Sequence, residues 1–291
     1  DYLLMINKDF GSIMAKPSAE RGVILQQLRG VFDGEYIDET GGGKGVIEWK
    51  NRLNFLSAST QDIESVNSQQ ALADLGERFL YYKMRAEGDE VVRRKAMLSI
   101  TGHKSDNAMR GAIAAAMLGV LKTYDGFDAS TIEFPDTVAG WLVELCMVAV
   151  KMRTRVKRDS YRKGVIEYKP SPEGVMRMLK SAKGLLLGLT IVRGKKVADI
   201  TDYALVARVV MDSIPSYRKT VLKTMYFSDK WLTPRALADI TGISLYGCEL
   251  IADDFYVVGM ADKDSSEVSN QYKLKAATIE SIKKSGLEGL L

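Results

Sequence analysis

The stretch YLLMINKDF, residues 2–10, decides the predicted fold of the N-terminal region. Its continuous apolar run is typical of a strand in a parallel sheet that is covered on both faces. A second run, RLNFLSAST at residues 52–60, ends in small hydroxyl residues. Between them, residues 16–32 place apolar side chains at helical spacing. Strand, helix and strand in this order predict an α/β layer with a parallel sheet.

A glycine-rich stretch, DETGGGKGVIEWK at residues 38–50, invites comparison with a phosphate-binding loop. That loop requires G-x-x-x-x-G-K-[ST] between a strand and a helix. Here Asp38 stands where the first glycine belongs, Gly45 replaces the hydroxyl residue, and the run that follows is β-branched and apolar. We therefore predict a hairpin over residues 34–49, with the glycines at its tip.

From residue 89 onward the periodicity is almost wholly helical. Before it, residues 68–84 predict a helix that runs into a short strand. The predicted helices that follow lie at residues 89–101, 105–124, 135–155, 171–192 and 200–214.

The last segment changes character again. Three short helical patterns, at residues 216–227, 233–242 and 244–260, precede a charged stretch and a strand-like YKLKA. Helix, helix-turn-helix and hairpin is the layout of a winged helix. The third helix carries Glu249, Asp253 and Asp254, and carboxylates that face DNA repel its phosphates. A DNA contact and a protein-interaction role therefore both stay open for this module.

Composition narrows the possible classes of protein. The 291 residues include two cysteines and one histidine, too few for a zinc site of about four ligands. A disulfide framework is not expected, which points to a reducing, cytoplasmic environment. The longest apolar stretches are shorter than the roughly 20 residues of a membrane span, so no membrane association is expected.

The net charge is only +4, but basic residues cluster locally. The stretch KMRTRVKRDSYRK, residues 151–163, holds seven of them in thirteen positions. Such a cluster is either a solvated helix face or a surface that contacts nucleic acid or nucleotide.

The order of elements in the first 86 residues resembles the second half of an AAA+ ATPase core. In arrangement it is most similar to minichromosome-maintenance helicases and to ATPases of phages and mobile elements. The resemblance implies an α/β fold, the C-terminal half of an AAA+ P-loop core, followed by an all-α lid and a winged helix. The corresponding domains are residues 1–86, 87–213 and 214–291. Because the chain enters a core strand directly after Asp1, we expect a fragment, and a phosphate loop would then lie upstream of residue 1.

Two strand ends carry the resemblance to the nucleotide site. YLLMINKDF resembles the Walker B strand, which normally ends in Asp-Glu; here Asn7 and Lys8 take those places and Asp9 follows. The resemblance makes Asp9 the catalytic acid and the Mg²⁺ ligand, although an aspartate here is also a common turn residue. RLNFLSAST resembles the sensor-1 strand, whose polar end orients water near the γ-phosphate. This implies contact with ATP through Ser59 or Thr60, with Ser57 as a further candidate.

Two arginines complete the expected site. LADLGERFLYYKM is similar to the segment that ends in an Arg-Phe pair and points across a subunit boundary. Arg78 would then act on the neighbouring subunit's ATP; the alternative is an ordinary surface arginine beside Glu77. SPEGVMRMLKSAKGLLLGLTIV resembles the lid helix that carries the sensor-2 arginine, which falls at Arg177, with Met176 and Leu179 packing nearby.

DNA contacts are expected at two places. Helicase-branch AAA+ proteins insert a hairpin into the central pore between Walker B and sensor 1, which makes Lys44 a candidate for a phosphate contact. In the winged helix, Arg218, Lys219 and Arg235 are the candidates for backbone contacts.

The resemblance therefore implies an ATP-driven DNA motor, helicase-like or loader-like, of a phage or mobile element. It would use ATP and Mg²⁺ and would act as a homo-oligomeric ring on DNA. The alternative is a DNA-binding or scaffold protein that keeps the AAA+ framework without turnover.

Overall fold

The computed structural model describes residues 2–39, 46–60, 63, 79–85, 87–101, 106–124, 127–159, 161, 165–168, 170, 172, 174–266 and 269–289. Over these ranges the protein is mixed α/β and mostly helical. None of the helices in these ranges has both the length and the apolar character that crossing a bilayer requires. The three-domain division predicted above stays a prediction.

The chain divides into two compact units. The first combines Asp1–Phe79, Val150–Met178 and Ile214–Ala276, and the second combines Leu80–Ala149, Leu179–Ser213 and Ala277–Leu291.

The N-terminal part of the first unit is built on a parallel strand pair. Its elements are β1 (Tyr2–Asn7), α1 (Gly11–Met14), α2 (Ser18–Asp33), β2 (Glu35–Glu39), β3 (Val46–Lys50) and β4 (Arg52–Ser57). Strands β1 and β4 run parallel, from Tyr2 opposite Arg52 to Asn7 opposite Ser57. The predicted strand–helix–strand order and the parallel pairing are thus confirmed.

Three phenylalanine rings pack together where the chain leaves β1. The rings of Phe10, Phe55 and Phe79 lie 5.6–6.1 Å apart in tilted and edge-to-face arrangements. Such pairs stabilise beyond their buried area by about 0.5–1.5 kcal/mol. The cluster fixes the chain that follows β1 against β4.

The prediction that β1 is covered on both faces is wrong for the chain as described. Leu4, Met5 and Ile6 are all exposed. Successive side chains of a strand point to opposite faces, so both faces of β1 carry uncovered apolar groups here. The described strand β1 has one hydrogen-bonded neighbour, β4.

The predicted hairpin is present as the antiparallel pair β2–β3. It packs closely on α2, because a Cβ at Gly30 would lie 2.7 Å from a ring carbon of Tyr36. At the base of the hairpin, the indole nitrogen of Trp49 donates to the carbonyl of Asn51 at 3.2 Å. The tip, residues 40–45, lies outside the described residues.

The strand predicted at the end of residues 68–84 does not form over the described part, residues 79–84. Side chains at the end of the helix Ile200–Asp212 bind this segment instead. The amide of Tyr81 donates to Ser213 Oγ at 2.8 Å, and that of Lys83 donates to Asp212 Oδ2 at 3.0 Å. Backbone donors satisfied in this way need no partner strand.

The second unit is mostly helical. Its helices, three of which extend into the first unit, are α3 (Asp89–Thr101), α4 (Asp106–Thr123), α5 (Asp136–Arg153), α6 (Val175–Val192), α7 (Ile200–Asp212) and α11 (Ala276–Lys284). The sequence patterns predicted the first five of these, and α11 was missed. The buried core includes Leu145 of α5, Leu186 of α6 and Val206 of α7. By contrast, the described side chains at residues 89–100 and 108–123 are all exposed.

The C-terminal part of the first unit holds three helices and a hairpin: α8 (Ser216–Ser228), α9 (Pro234–Thr241), α10 (Leu245–Val257), β5 (Ala261–Asp264) and β6 (Gln271–Leu274). Thr233 caps α9, Gly242 ends it with φ +71°, and Ser244 caps α10. Before α9, Leu232 exchanges two backbone hydrogen bonds of 2.9 Å with Tyr272 of β6. The elements follow one another in the order that the sequence predicted.

Candidate functional site

The carboxyl ends of β1 and β4 bring several of the predicted site residues together. Ala58 donates its amide to Asn7 O at 3.1 Å, and Phe10 donates to Ala58 O at 2.7 Å, so the two chains stay paired beyond the strands. A Cβ at Gly11 would lie 2.9 Å from Asp9 Oδ1 and 3.9 Å from Ser59 Oγ. Asp9 and Ser59 are therefore neighbours at one edge, and both are exposed.

The turn after β1 orients the Asp9 carboxylate. The amide of Asp9 donates to Asn7 Oδ1 at 2.8 Å, and the amide of Gly11 donates to Asp9 Oδ1 at 2.9 Å. Ser12 Oγ donates to the carbonyl of Asp9 at 2.8 Å. Asp9 therefore closes a turn, which is the alternative that the sequence left open. Its side chain is nevertheless exposed to solvent.

The three hydroxyl candidates of the β4 end differ in what they contact. Ser57 Oγ donates to the carbonyl of Asn7 at 3.0 Å, so this hydroxyl ties the two strands together. Ser59 is the one beside Asp9. Thr60 is also exposed, and its carbonyl accepts the amide of Ile63 at 3.3 Å.

Mg²⁺ accepts oxygen ligands and keeps several waters, so it is commonly held by one or two carboxylates together with substrate phosphates. Asp9, with the Ser59 hydroxyl beside it, fits a partial shell of this kind. No group of three or more His, Cys, Asp or Glu side chains suited to a metal occurs among the described residues. Phosphate oxygens would have to complete the shell.

The expected arginines are placed only in part. Arg78 lies outside the described residues, but Phe79, which follows it, belongs to the aromatic cluster with Phe10. Arg177 is exposed in the first turn of α6. Packing near Arg177 differs from the prediction, because Met176 is exposed and Met178 is the buried methionine of this turn.

The residues expected to contact DNA differ in exposure, and one of them is not described by the structure. Lys44 lies outside the described residues. Lys219 is half-buried, and Arg235 is exposed in a pair with Asp239 at 3.3 Å, one helical turn away. A pair of that kind is worth little in water, so Arg235 can reach a phosphate at small loss.

Arg218 was expected to contact DNA, but the structure places it in the interior. Its relative exposure is 4%, and its guanidinium donates to the carbonyls of Met152 at 2.8 Å and Thr154 at 2.6 Å and to the carboxylate of Asp254. An arginine with this many interior partners is not available to a phosphate outside. We therefore withdraw Arg218 from the DNA-contact residues.

The basic stretch at residues 151–163 is likewise not a uniform solvated face. Arg153 is buried and donates to the carbonyl of Phe79 at 3.4 Å. Arg158 pairs with Asp253 at 2.9 Å and with Asp254. Arg153 and Arg158, which were part of the candidate nucleic-acid surface, therefore bind groups within the first unit instead.

These contacts form one charged cluster, which we call the α10 network: Arg158, Arg218, Lys263, Asp253 and Asp254. Lys263 of β5 donates to Asp253 Oδ1 at 2.9 Å. Burial by itself would raise the pKa of the Asp253 carboxyl, but hydrogen bonds from Lys263 and Arg158 outweigh it and hold the pKa below its ordinary value. Two of the three α10 carboxylates, Asp253 and Asp254, are therefore paired with neighbouring cations.

Sequence reasoning missed this network, although one signal was available. Asp254 lies between Ile251 and Phe255 on the apolar side of α10, and both of those residues are buried. A carboxylate on the buried side of a helix requires a cationic or hydrogen-bonding partner. The sequence does not say which of its many cations supplies it.

Comparison with known proteins adds no assignment: no protein-family model matches the chain, and a search of curated proteins found no match.

Proposed function

We propose that the chain is the Walker B, sensor-1 and lid part of an AAA+ ATPase that acts on DNA. The observation that supports this proposal is the proximity of Asp9 and Ser59 at the carboxyl edge of the parallel strands β1 and β4, where a Cβ at Gly11 would lie within 4 Å of both side chains. Ligands of α/β sheets bind outside the carboxyl ends of the strands. An acid and a hydroxyl side by side at that edge suit the metal and the attacking water of phosphoryl transfer.

In this proposal the residues have the following roles. Asp9 holds part of the Mg²⁺ shell and polarises water, and Ser59 or Thr60 orients that water. Arg177 faces the phosphates from the lid, and Arg78 reaches the ATP of the next subunit in a homo-oligomeric ring. When bound, Mg²⁺ would neutralise charge on the phosphate oxygens.

We further propose that α8, α9, α10 and the β5–β6 hairpin are a winged helix that helps to hold DNA. Lys219 and Arg235 would contact phosphates there, and Lys44 would do so from the tip of the β2–β3 hairpin. Hydrolysis would move that hairpin along DNA, in a helicase-like or loader-like motor.

One observation favours the second candidate function, a scaffold or DNA-binding protein without turnover. Asp9 Oδ1 is occupied by the Gly11 amide, and Asn7 and Lys8 take the places of the usual acidic pair. An aspartate that only closes a turn would look the same.

Asp9→Asn separates the two candidates. If Asp9 polarises the attacking water, ATP turnover by the full-length natural protein should fall about 10²–10⁴-fold, the usual range for such a group. Binding of a fluorescent ATP analogue should change far less. Steady-state phosphate release and analogue titration measure the two quantities.

The matched control is Glu20→Gln, which removes an exposed carboxylate of α2 that pairs with Lys16 at 3.3 Å. It should leave turnover within twofold. Equal turnover in Asp9→Asn and wild type would remove Asp9 from the mechanism. Absence of any turnover in the wild-type protein would make the scaffold function the better description.

Lys44→Ala should weaken binding to every DNA sequence by a similar factor and lower the salt slope of log K by about 1, since a phosphate contact reads no bases. Anisotropy titrations over a series of salt concentrations give both quantities. Lys50→Ala is the control, because Lys50 is exposed on the same hairpin and pairs with Glu48. A loss confined to some sequences would argue for base reading at Lys44 instead.

A further inference from the structure

Helix α10 presents two different faces. Residues 245, 246, 249, 253 and 256 fall on one arc about 100° wide at helical spacing. On this arc Leu245, Tyr246 and Tyr256 are 47%, 49% and 45% exposed. The opposite side is buried. We call the exposed arc the outer face of α10.

The α10 network determines the charge of this outer face. Asp253 lies on it but is held by Arg158 and Lys263, and Asp254 points to the interior. Glu249 is the exposed carboxylate that remains, between Tyr246 and Tyr256. The thirteen residues of α10 include no lysine or arginine.

Cations of the neighbouring elements α9 and β5 already have carboxylate partners. Arg235 of α9 pairs with Asp239. Lys263 pairs with Asp253 and also lies 5.8 Å from the ring centre of Tyr256. The second contact is a cation–π interaction within the protein, between β5 and the outer face of α10.

These properties do not suit a helix that reads DNA. Specific readers use mainly arginine, lysine, asparagine and glutamine, and the outer face has none of them. Glu249 would repel phosphates. Tyrosine is instead enriched at protein interfaces, where it often contributes much of the binding energy. Ile240, exposed at the end of α9, adds another apolar side chain shortly before the turn.

We propose that the outer face of α10 docks a protein segment, an amphipathic helix or peptide with apolar residues around a central lysine or arginine. Its apolar side chains would pack on Leu245 and Tyr246. Its cation would pair with Glu249, the exposed carboxylate between Tyr246 and Tyr256. The module would then hold DNA through α8 and α9 and a protein partner through α10.

A random peptide library displayed on phage tests this directly. With the full-length protein immobilised, we expect selected peptides to share apolar residues at spacings of three or four around a Lys or Arg. Synthetic copies should bind Tyr246→Ala at least tenfold more weakly. Glu249→Lys should weaken them similarly and should prefer a copy in which the central cation is Glu. Tyr161→Ala, at a tyrosine 96% exposed elsewhere in the first unit, is the control and should bind like wild type.

The same variants are titrated with duplex DNA. We expect Leu245→Ala and Tyr246→Ala to leave DNA affinity within twofold. A loss of DNA affinity as large as the loss of peptide affinity would make α10 a DNA-reading helix and overturn the proposal. Selected peptides without a shared pattern, or peptides indifferent to Tyr246→Ala and Glu249→Lys, would overturn it as well. These outcomes do not depend on ATP turnover, so they are distinct from failure of the proposed ATPase.

Discussion

Arg218→Met is expected to destabilise the C-terminal helices of the first unit by about 3–5 kcal/mol, the usual effect of removing one partner of a buried ion pair. Arg218 satisfies two carbonyls, of Met152 and Thr154, as well as the Asp254 carboxylate. Methionine fills a similar volume but donates nothing. It therefore leaves two acceptors without this donor and removes one of the cations around a buried charge.

Hydrogen exchange over residues 216–257 measures this locally, and opening should become about 10²–10⁴-fold more frequent. Arg235→Ala is the matched control. Its side chain is 76% exposed and pairs within its own helix, so the change should stay within about 0.5 kcal/mol. If the two variants exchange alike, the α10 network does not hold these helices.

A double variant separates the charge from the packing. Arg218→Met with Asp254→Leu removes the cation and a carboxylate together, and should recover part of the stability lost in Arg218→Met. No recovery would mean that the two carbonyl contacts, and not the ion pair, carry the effect of Arg218.

The sequence predicted those elements whose cause is local. Alternation, helical spacing and capping residues lie within one segment, which is why β1, β4, the β2–β3 hairpin and helices α3 to α10 were foreseen. Helix α11 was not predicted, because it lies beyond YKLKA, the last element that the sequence pattern indicates. The strand predicted within residues 79–84 does not form, because the backbone amides there bind Ser213 and Asp212 instead. Those partners lie more than 125 positions away, so no local pattern reveals them.

In the candidate site too, the features with a local cause were predictable and those that depend on distant partners were not. Asp9 and Ser59 were predictable as neighbours, because parallel strands bring their carboxyl ends to one edge. The buried position of Arg218 was not predictable. Charge alone does not distinguish an arginine that contacts a phosphate from one that pairs with a buried carboxylate such as Asp254. Among Glu249, Asp253 and Asp254, helical spacing places only Asp254 on the apolar side, and the sequence does not say which cations pair with it or with Asp253.

Arg78→Ala is expected to lower ATP turnover by about 10³–10⁵-fold, the range for an arginine that stabilises the charge developing on the transferred phosphoryl group. This rests on the proposed ATPase function. Binding of ATP should be largely kept, since such an arginine acts mainly in the transition state. Arg85→Ala, at an exposed arginine seven positions on, is the control and should leave turnover within twofold. Unchanged turnover in Arg78→Ala would remove the arginine from the mechanism.

Mixing two inactive variants tests whether Arg78 acts across a subunit boundary. Asp9 is proposed to act within its own subunit and Arg78 on its neighbour. In a mixed ring of Asp9→Asn and Arg78→Ala subunits, some interfaces then join an intact Asp9 to an intact Arg78. We expect the mixture to hydrolyse ATP faster than either variant alone. If Arg78 acted within its own subunit, every site would lack one of the two groups, and the mixture would be as inactive as its components.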